Sequence, residues 1–141
     1  MQAAEWEAAQ HPTTYAYVGV PLDEVGGGDL RLVDGAVDLF GDGTVVLVPT
    51  PGHTVGHQSL LVRASGAPDA DSALLVGDAC YLRRMLTARL TPDFAVDVAG
   101  QLASYDTLER YEAQGPRLVF SHDIDDWDTV PAGLRATPPS A

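Results

Sequence analysis

His53, Asp78 and His122 each stand at the end of a short apolar run, and imidazole and carboxylate are the donors of a divalent-metal site. His53 follows Val45-Val46-Leu47-Val48 and the turn Pro49 to Gly52. Pro51 fixes its own φ and Gly52 lets the backbone bend sharply, so the imidazole is presented from a rigid loop at a strand end. Asp78 ends the run Ala73-Leu74-Leu75-Val76-Gly77, where a buried carboxylate must be hydrated, paired or metal-bound. His122 ends Leu118-Val119-Phe120-Ser121 in the same way. Taken singly, each has an ordinary reading as a loop histidine or a strand-end aspartate. Three such placements in one short chain favour a metal site. The donor mix suits Zn²⁺, and also Mn²⁺ or Fe²⁺.

Other residues near these three carry weaker signals. Tyr81 lies three residues after Asp78. If that segment opens a helical turn, its phenol faces the side of the carboxylate and can donate to a carbonyl oxygen as negative charge develops. A half-buried packing tyrosine is the equal alternative. His57, four residues beyond His53, is a candidate to orient a ligand from behind, or simply a hydrogen-bonded histidine at a strand start. Cys80 reads as a small buried residue. Asp123, Asp125, Asp126 and Asp128 resemble a calcium loop without its central Gly and terminal Glu, so a solvated loop is the better reading.

The elements that must position these residues follow from periodicity. Ala3 to Ala9 reads as a short helix ending before His11-Pro12, and residues 12–35 as Gly- and Pro-rich loop with weak strand character. Val37–Phe40 and Thr44–Val48 flank the turn Gly41-Asp42-Gly43 as a hairpin. Ser59–Arg63 and Ala73–Val76 are the next strands, joined by the polar stretch Ala64–Ser72. From Val96 to Ala113 the residues Val98, Leu102, Tyr105, Leu108 and Tyr111 share one helical face, and Gly115-Pro116 stops that helix. Arg117–Phe120 is a last strand. The class is mixed α/β or α+β, with one domain over residues 1–130 and a fraying tail over residues 131–141.

Composition bounds the partners. The 141 residues are 45% hydrophobic and 20% charged, a globular balance. A chain this long buries roughly 68% of its unfolded surface. With 20 acidic against 8 basic residues the net charge is -12, which disfavours nucleic acid and anionic membrane surfaces. No apolar run approaches the ~20 residues of a membrane span, and no leader peptide is visible. One cysteine excludes an internal disulfide and fits a reducing, cytoplasmic setting.

The string Thr50-Pro51-Gly52-His53-Thr54-Val55-Gly56-His57-Gln58-Ser59 resembles the central motif of metallo-β-lactamase-fold hydrolases, and its second half the N-acyl-homoserine lactonase branch. Asp78-Ala79-Cys80-Tyr81 resembles that branch's bridging aspartate and nearby tyrosine, and Ser121-His122-Asp123 its last metal histidine. Gln2 to Ala9 resembles the helix that follows the first metal motif. The resemblance implies the C-terminal half of an αββα sandwich. It implies two divalent metal ions, zinc above all. His53 would bind the first, His122 the second, and Asp78 both, with Tyr81 on the lactone carbonyl. It implies a hydrolase that opens lactones or related esters with a metal-bound hydroxide, a quorum-quenching activity, with a thioester hydrolase of the same superfamily as the alternative. The family's His-x-His-x-Asp-His string does not occur; the only other histidine is His11. The chain is therefore expected to be part of a longer enzyme, or a half-domain without catalysis that needs its N-terminal half or self-association. Part of its core should then be exposed.

Overall fold

The computed structural model describes residues 1–17, 19, 22–63 and 72–127. The polar stretch at 64–71, Asp128 and the tail read as fraying lie outside the described residues. One five-stranded sheet, in sequence order, organises the rest: β1 (Val37–Asp38), β2 (Val45–Pro49), β3 (Gln58–Val62), β4 (Ala73–Gly77) and β5 (Arg117–Phe120). Pairing is antiparallel from β1 through β4 and parallel between β4 and β5. Two reversals make β2 and β4 run the same way, and β5 runs with them. The residues that follow β2, β4 and β5 therefore emerge at one edge of the sheet.

Between β4 and β5 the chain crosses over through α3 (Arg83–Ala88) and α4 (Val98–Ala113). Val48, Leu61, Leu74, Val76, Leu118 and Phe120 pack with Leu86, Tyr105 and Leu108 of these helices to form the core. Burial of β-branched and aliphatic side chains on this face is what holds β2 to β5 as strands. On the opposite face Leu47, Leu60, Leu75 and Val119 form one cross-strand row. Leu75, in the interior of the sheet, is 39% exposed there.

Several boundaries differ from the sequence reading, each for a physical reason. β1 stops at Asp38 because its carboxylate accepts the amides of Phe40, Gly41 and Gly43, turning the chain out of the ladder. The region read as loop holds a 3₁₀ turn at Tyr15–Tyr17 and α2 (Leu22–Gly26), whose first turn carries Asp23 and Glu24, favourable at a helix N-terminus. Gln2 makes a parallel bridge to Val33 just before α1 (Ala3–Gln10).

Two further helices were missed, α3 and a short one after β5. The first amide of α3 donates to Asp123 Oδ2 at 3.0 Å, so its cap lies forty residues away in sequence. The second is α5 (Ile124–Trp127), and it corrects the reading of the acidic cluster as a solvated loop. Asp126 is buried, accepts the Phe120 amide at 3.2 Å and pairs with Arg83 and Arg117 at 3.3 and 3.4 Å. No helix among the described residues is long and apolar enough to cross a membrane.

Leu74 is fully buried and its neighbour Leu75 is not, so their truncations should separate the two faces. Leu74→Ala is expected to cost about 2–5 kcal/mol. Leu75→Ala should cost under about 1 kcal/mol. Urea unfolding of both variants checks this, and equal losses would mean that both faces are covered.

Candidate metal and active site

At the common edge the three strand-end residues meet. Asp78 follows β4 directly, and its carboxylate lies between two imidazoles. His122 Nε2 is 3.0 Å from Oδ1 and His53 Nε2 is 3.6 Å from Oδ2. The side chains of His53, Asp78 and His122 are 24%, 41% and 55% exposed, so the cluster opens to solvent. Tyr81 joins them through a turn rather than the helical turn considered from its spacing, since α3 begins only at Arg83. Its hydroxyl is 3.2 Å from His53 Nδ1, and its ring meets His122 edge-on with centroids 4.6 Å apart. A cleft of about 560 Å³ lies alongside, lined by Asp78, Tyr81, Leu82, Met85, Phe94 and His122.

His57 takes no part in the cluster itself and braces it from behind. The Asp78 amide donates to His57 Nε2 at 3.1 Å, so that nitrogen carries no proton. In the neutral ring the proton is then on Nδ1, which lies 2.9 Å from Thr50 Oγ1 and 3.1 Å from the Thr50 carbonyl. Ser59 Oγ spends its proton on the Val76 carbonyl at 2.9 Å, so Thr50 must be the donor in the 2.9 Å Thr50–Ser59 bond. The relay runs one way, from the Asp78 amide to the β4 carbonyl. Gly77 has φ +62°, and a Cβ there would sit 3.1 Å from His57 Nε2. Burial pushes the His57 pKa below its ordinary 6.5, with repulsion from His53 adding to it.

Packing fixes the loops on three sides. Glu5 of α1 accepts the Gly56 amide at 2.7 Å and the Tyr17 hydroxyl at 3.2 Å, and Tyr17 in turn accepts the Val55 amide at 3.3 Å. Ser104 of α4 donates to the Pro51 carbonyl at 2.6 Å, and the Asp97 amide to the Gly52 carbonyl at 2.9 Å. Ser121 Oγ donates to the Gly77 carbonyl at 3.1 Å, tying the end of β5 to the end of β4. Sequence reasoning missed Glu5, Thr50, Ser59, Gln101 and Ser104 as parts of the site. The polar Gln101 and Ser104 on the apolar face of α4 were the available signal. Cys80 is buried, as expected of a small packing residue, and burial raises its thiol pKa.

As a donor set, two imidazoles and a carboxylate suit divalent ions, and shared between two of them would give each ion one imidazole and part of the carboxylate. Among the described residues no group of three or more His, Cys, Asp or Glu side chains is placed so as to hold a metal ion. A catalytic zinc usually takes three protein donors, so these residues fall short of closing either ion's shell.

Similarity to known proteins has the same proportion. No protein-family model matches the chain. It is 34% identical over 137 residues to the N-acyl homoserine lactonase AttM of Rhizobium radiobacter, covering 90% of this chain and 50% of that protein. It is 33% identical over 126 residues to an N-acyl homoserine lactonase of a Bacillus species, covering 89% and 46%. A solved N-acyl homoserine lactone hydrolase, with N-hexanoyl-L-homoserine at its catalytic metal centre, superposes with a TM-score of 0.70 at 28% identity over 92% of this chain and 48% of that one. The fold is the C-terminal half of a metallo-β-lactamase fold. A quorum-quenching lactonase of the same fold gives a TM-score of 0.71, with 97% of this chain and 52% of that one covered. The chain thus spans about half the length of the curated relatives it matches.

The depressed His57 pKa has a stability consequence. The unfolded chain binds the proton more readily, so this contribution is present above pH 6.5 and is lost as pH falls below it. A ¹H–¹⁵N spectrum of the imidazoles should show His57 as the Nδ1–H tautomer and still neutral just below 6.5. A His57 that protonates at 6.5 or above would contradict the relay.

Proposed function

We propose that this chain supplies half of the active site of a metal-dependent hydrolase that opens N-acyl homoserine lactones or closely related esters. The observation that carries it is the Asp78 carboxylate held between His53 and His122, at the strand ends of a fold shared with lactonases. His53 and His122 would each hold one divalent ion and Asp78 would span both. Zinc suits these donors best, since neutral imidazole and carboxylate are its ordinary ligands. A bound ion there would polarise the acyl carbonyl and lower the pKa of water to about 7.

The chain's own residues do the rest. Were His53 Nε2 bound to an ion, Nδ1 would carry the ring proton and donate to the Tyr81 oxygen. The Tyr81 hydroxyl lines the cleft and is proposed to donate to the substrate carbonyl oxygen. Water adds to the acyl carbon, the ring C–O bond breaks, and the leaving oxygen takes a proton to give the hydroxy acid. Met85, Leu82 and Phe94 give the cleft its apolar side, which suits an acyl substrate. A complementary segment carrying the His-x-His-x-Asp-His motif, from an N-terminal half or another subunit, would supply the remaining donors. A cytoplasmic site of action fits the single cysteine. The second reading, a non-catalytic half-domain, is favoured by the incomplete donor set.

Calorimetric titration with Zn²⁺ and a pH-stat lactone assay, with and without a lactonase fragment bearing the motif, separate the two. Asp78→Ala is expected to abolish zinc binding and all turnover; unchanged zinc affinity in that variant would sink the ligand assignment. Complementation without any lactone opening would favour the non-catalytic reading. In the complemented protein, Tyr81→Phe should lower kcat on the order of 10²-fold with little change in KM, and parental kcat would remove its role.

A further inference from the structure

We propose that Gln101 of α4 is a positioning residue that sets the separation between the His53 loop and the Asp78 turn. The inference rests on the metal-site reading above and adds the element that holds the two ligand-bearing segments in register.

Gln101 touches both segments at once. Its backbone is the surface on which Gly52 lies: a Cβ on Gly52 would clash with the Gln101 Cα, Cβ and N. Gly52 also has φ +137°, so only glycine allows this approach one residue before His53. On its other side Gln101 Nε2 donates to the Ala79 carbonyl at 3.0 Å, one residue after Asp78. One helical turn further on, Ser104 holds the Pro51 carbonyl. α4 therefore grips the His53 loop through backbone packing and Ser104, and the Asp78 turn through a single amide.

Packing alone gives no reason for an amide here. Gln101 is fully buried on the face that carries Tyr105 and Leu108 into the core. Its Oε1 has no hydrogen-bond partner among the described residues. A buried acceptor left unpaired is destabilising, whereas a methionine would fill the same volume without it. What methionine cannot do is hold the Ala79 carbonyl. The Asp78 turn would then keep the His57 bond to the Asp78 amide and the Ser121 bond to the Gly77 carbonyl, but lose its Gln101 tie to α4 beyond Asp78.

Gln101→Met keeps the length of the side chain and removes the donor. Amide hydrogen exchange on the metal-free chain is the direct test. The Asp78 amide should exchange roughly tenfold faster in the variant, while Leu61 and Leu74, in the middle of the sheet, keep parental rates. A general loss of stability would move all three together. A folded variant with parental exchange at Asp78 overturns the proposal. Should the variant fail to fold, the parent chain decides. A through-hydrogen-bond coupling from Gln101 Nε2 to the Ala79 carbonyl carbon, with a slowly exchanging carboxamide proton, supports the contact; a freely exchanging carboxamide overturns it. Zinc titration of the parent beside these measurements tests the metal reading separately: no binding by the complemented parent removes that reading and leaves the exchange result intact.

Discussion

His57 can occupy its place in only one state. The amide of Asp78 has nothing but a proton to offer, so the facing ring nitrogen must be bare, and the opposite one must carry the hydrogen. From there the direction of each bond through Thr50 and Ser59 is forced, down to a carbonyl of β4 itself. The circuit closes on the strand it began from. It makes the end of β2, the start of β3 and the end of β4 a single hydrogen-bonded body, and Asp78 is the residue at its rim. A protonated His57 would face the Asp78 amide with a second donor, so the brace works only with a neutral ring.

Around that body the other contacts are single ties from separate elements: Glu5 from α1, Ser104 and Gln101 from α4, Ser121 from the end of β5. His122 is held differently from His53. Its loop is anchored by buried charge, with Asp126 accepting the Phe120 amide between Arg83 and Arg117, while Arg83 also lies 4.9 Å above the Phe120 ring. Breaking one partner of such a group leaves an uncompensated buried charge, which is far more damaging than loss of a surface pair. The two imidazoles therefore owe their places to unlike forces, a hydrogen-bonded brace on one side and ion pairing on the other.

What the sequence reveals divides along the same line. His53, Asp78 and His122 are visible because each follows an apolar run, and an apolar run that ends in a polar donor is a local pattern. The Gly41-Asp42-Gly43 turn and the long helix α4 are visible for the same reason, within a residue or two. α3 and α5 are not, because the capping contact of α3 comes from Asp123, and Asp126 gains meaning only once Arg83 and Arg117 are beside it. Asp123 and Asp126 look like parts of a solvated patch until the fold pairs them. Gln101 is the subtler case: a glutamine on an apolar helical face is conspicuous, but its purpose depends on a carbonyl twenty-two residues away.

The parallel pairing of β4 with β5 has a kinetic corollary. β2, β3 and β4 form a meander of neighbouring strands, and β5 joins only after the whole α3–α4 crossover has been traversed. Asp78 and His122 are forty-four residues apart in the chain. Closing a loop of that length brings its conformational entropy due before the contacts that offset it, so non-local pairings of this kind are slow to form. His53, His57 and Asp78 can be in place while His122 is still unanchored. Loop closure therefore favours a folding order in which the carboxylate meets its first imidazole before its second.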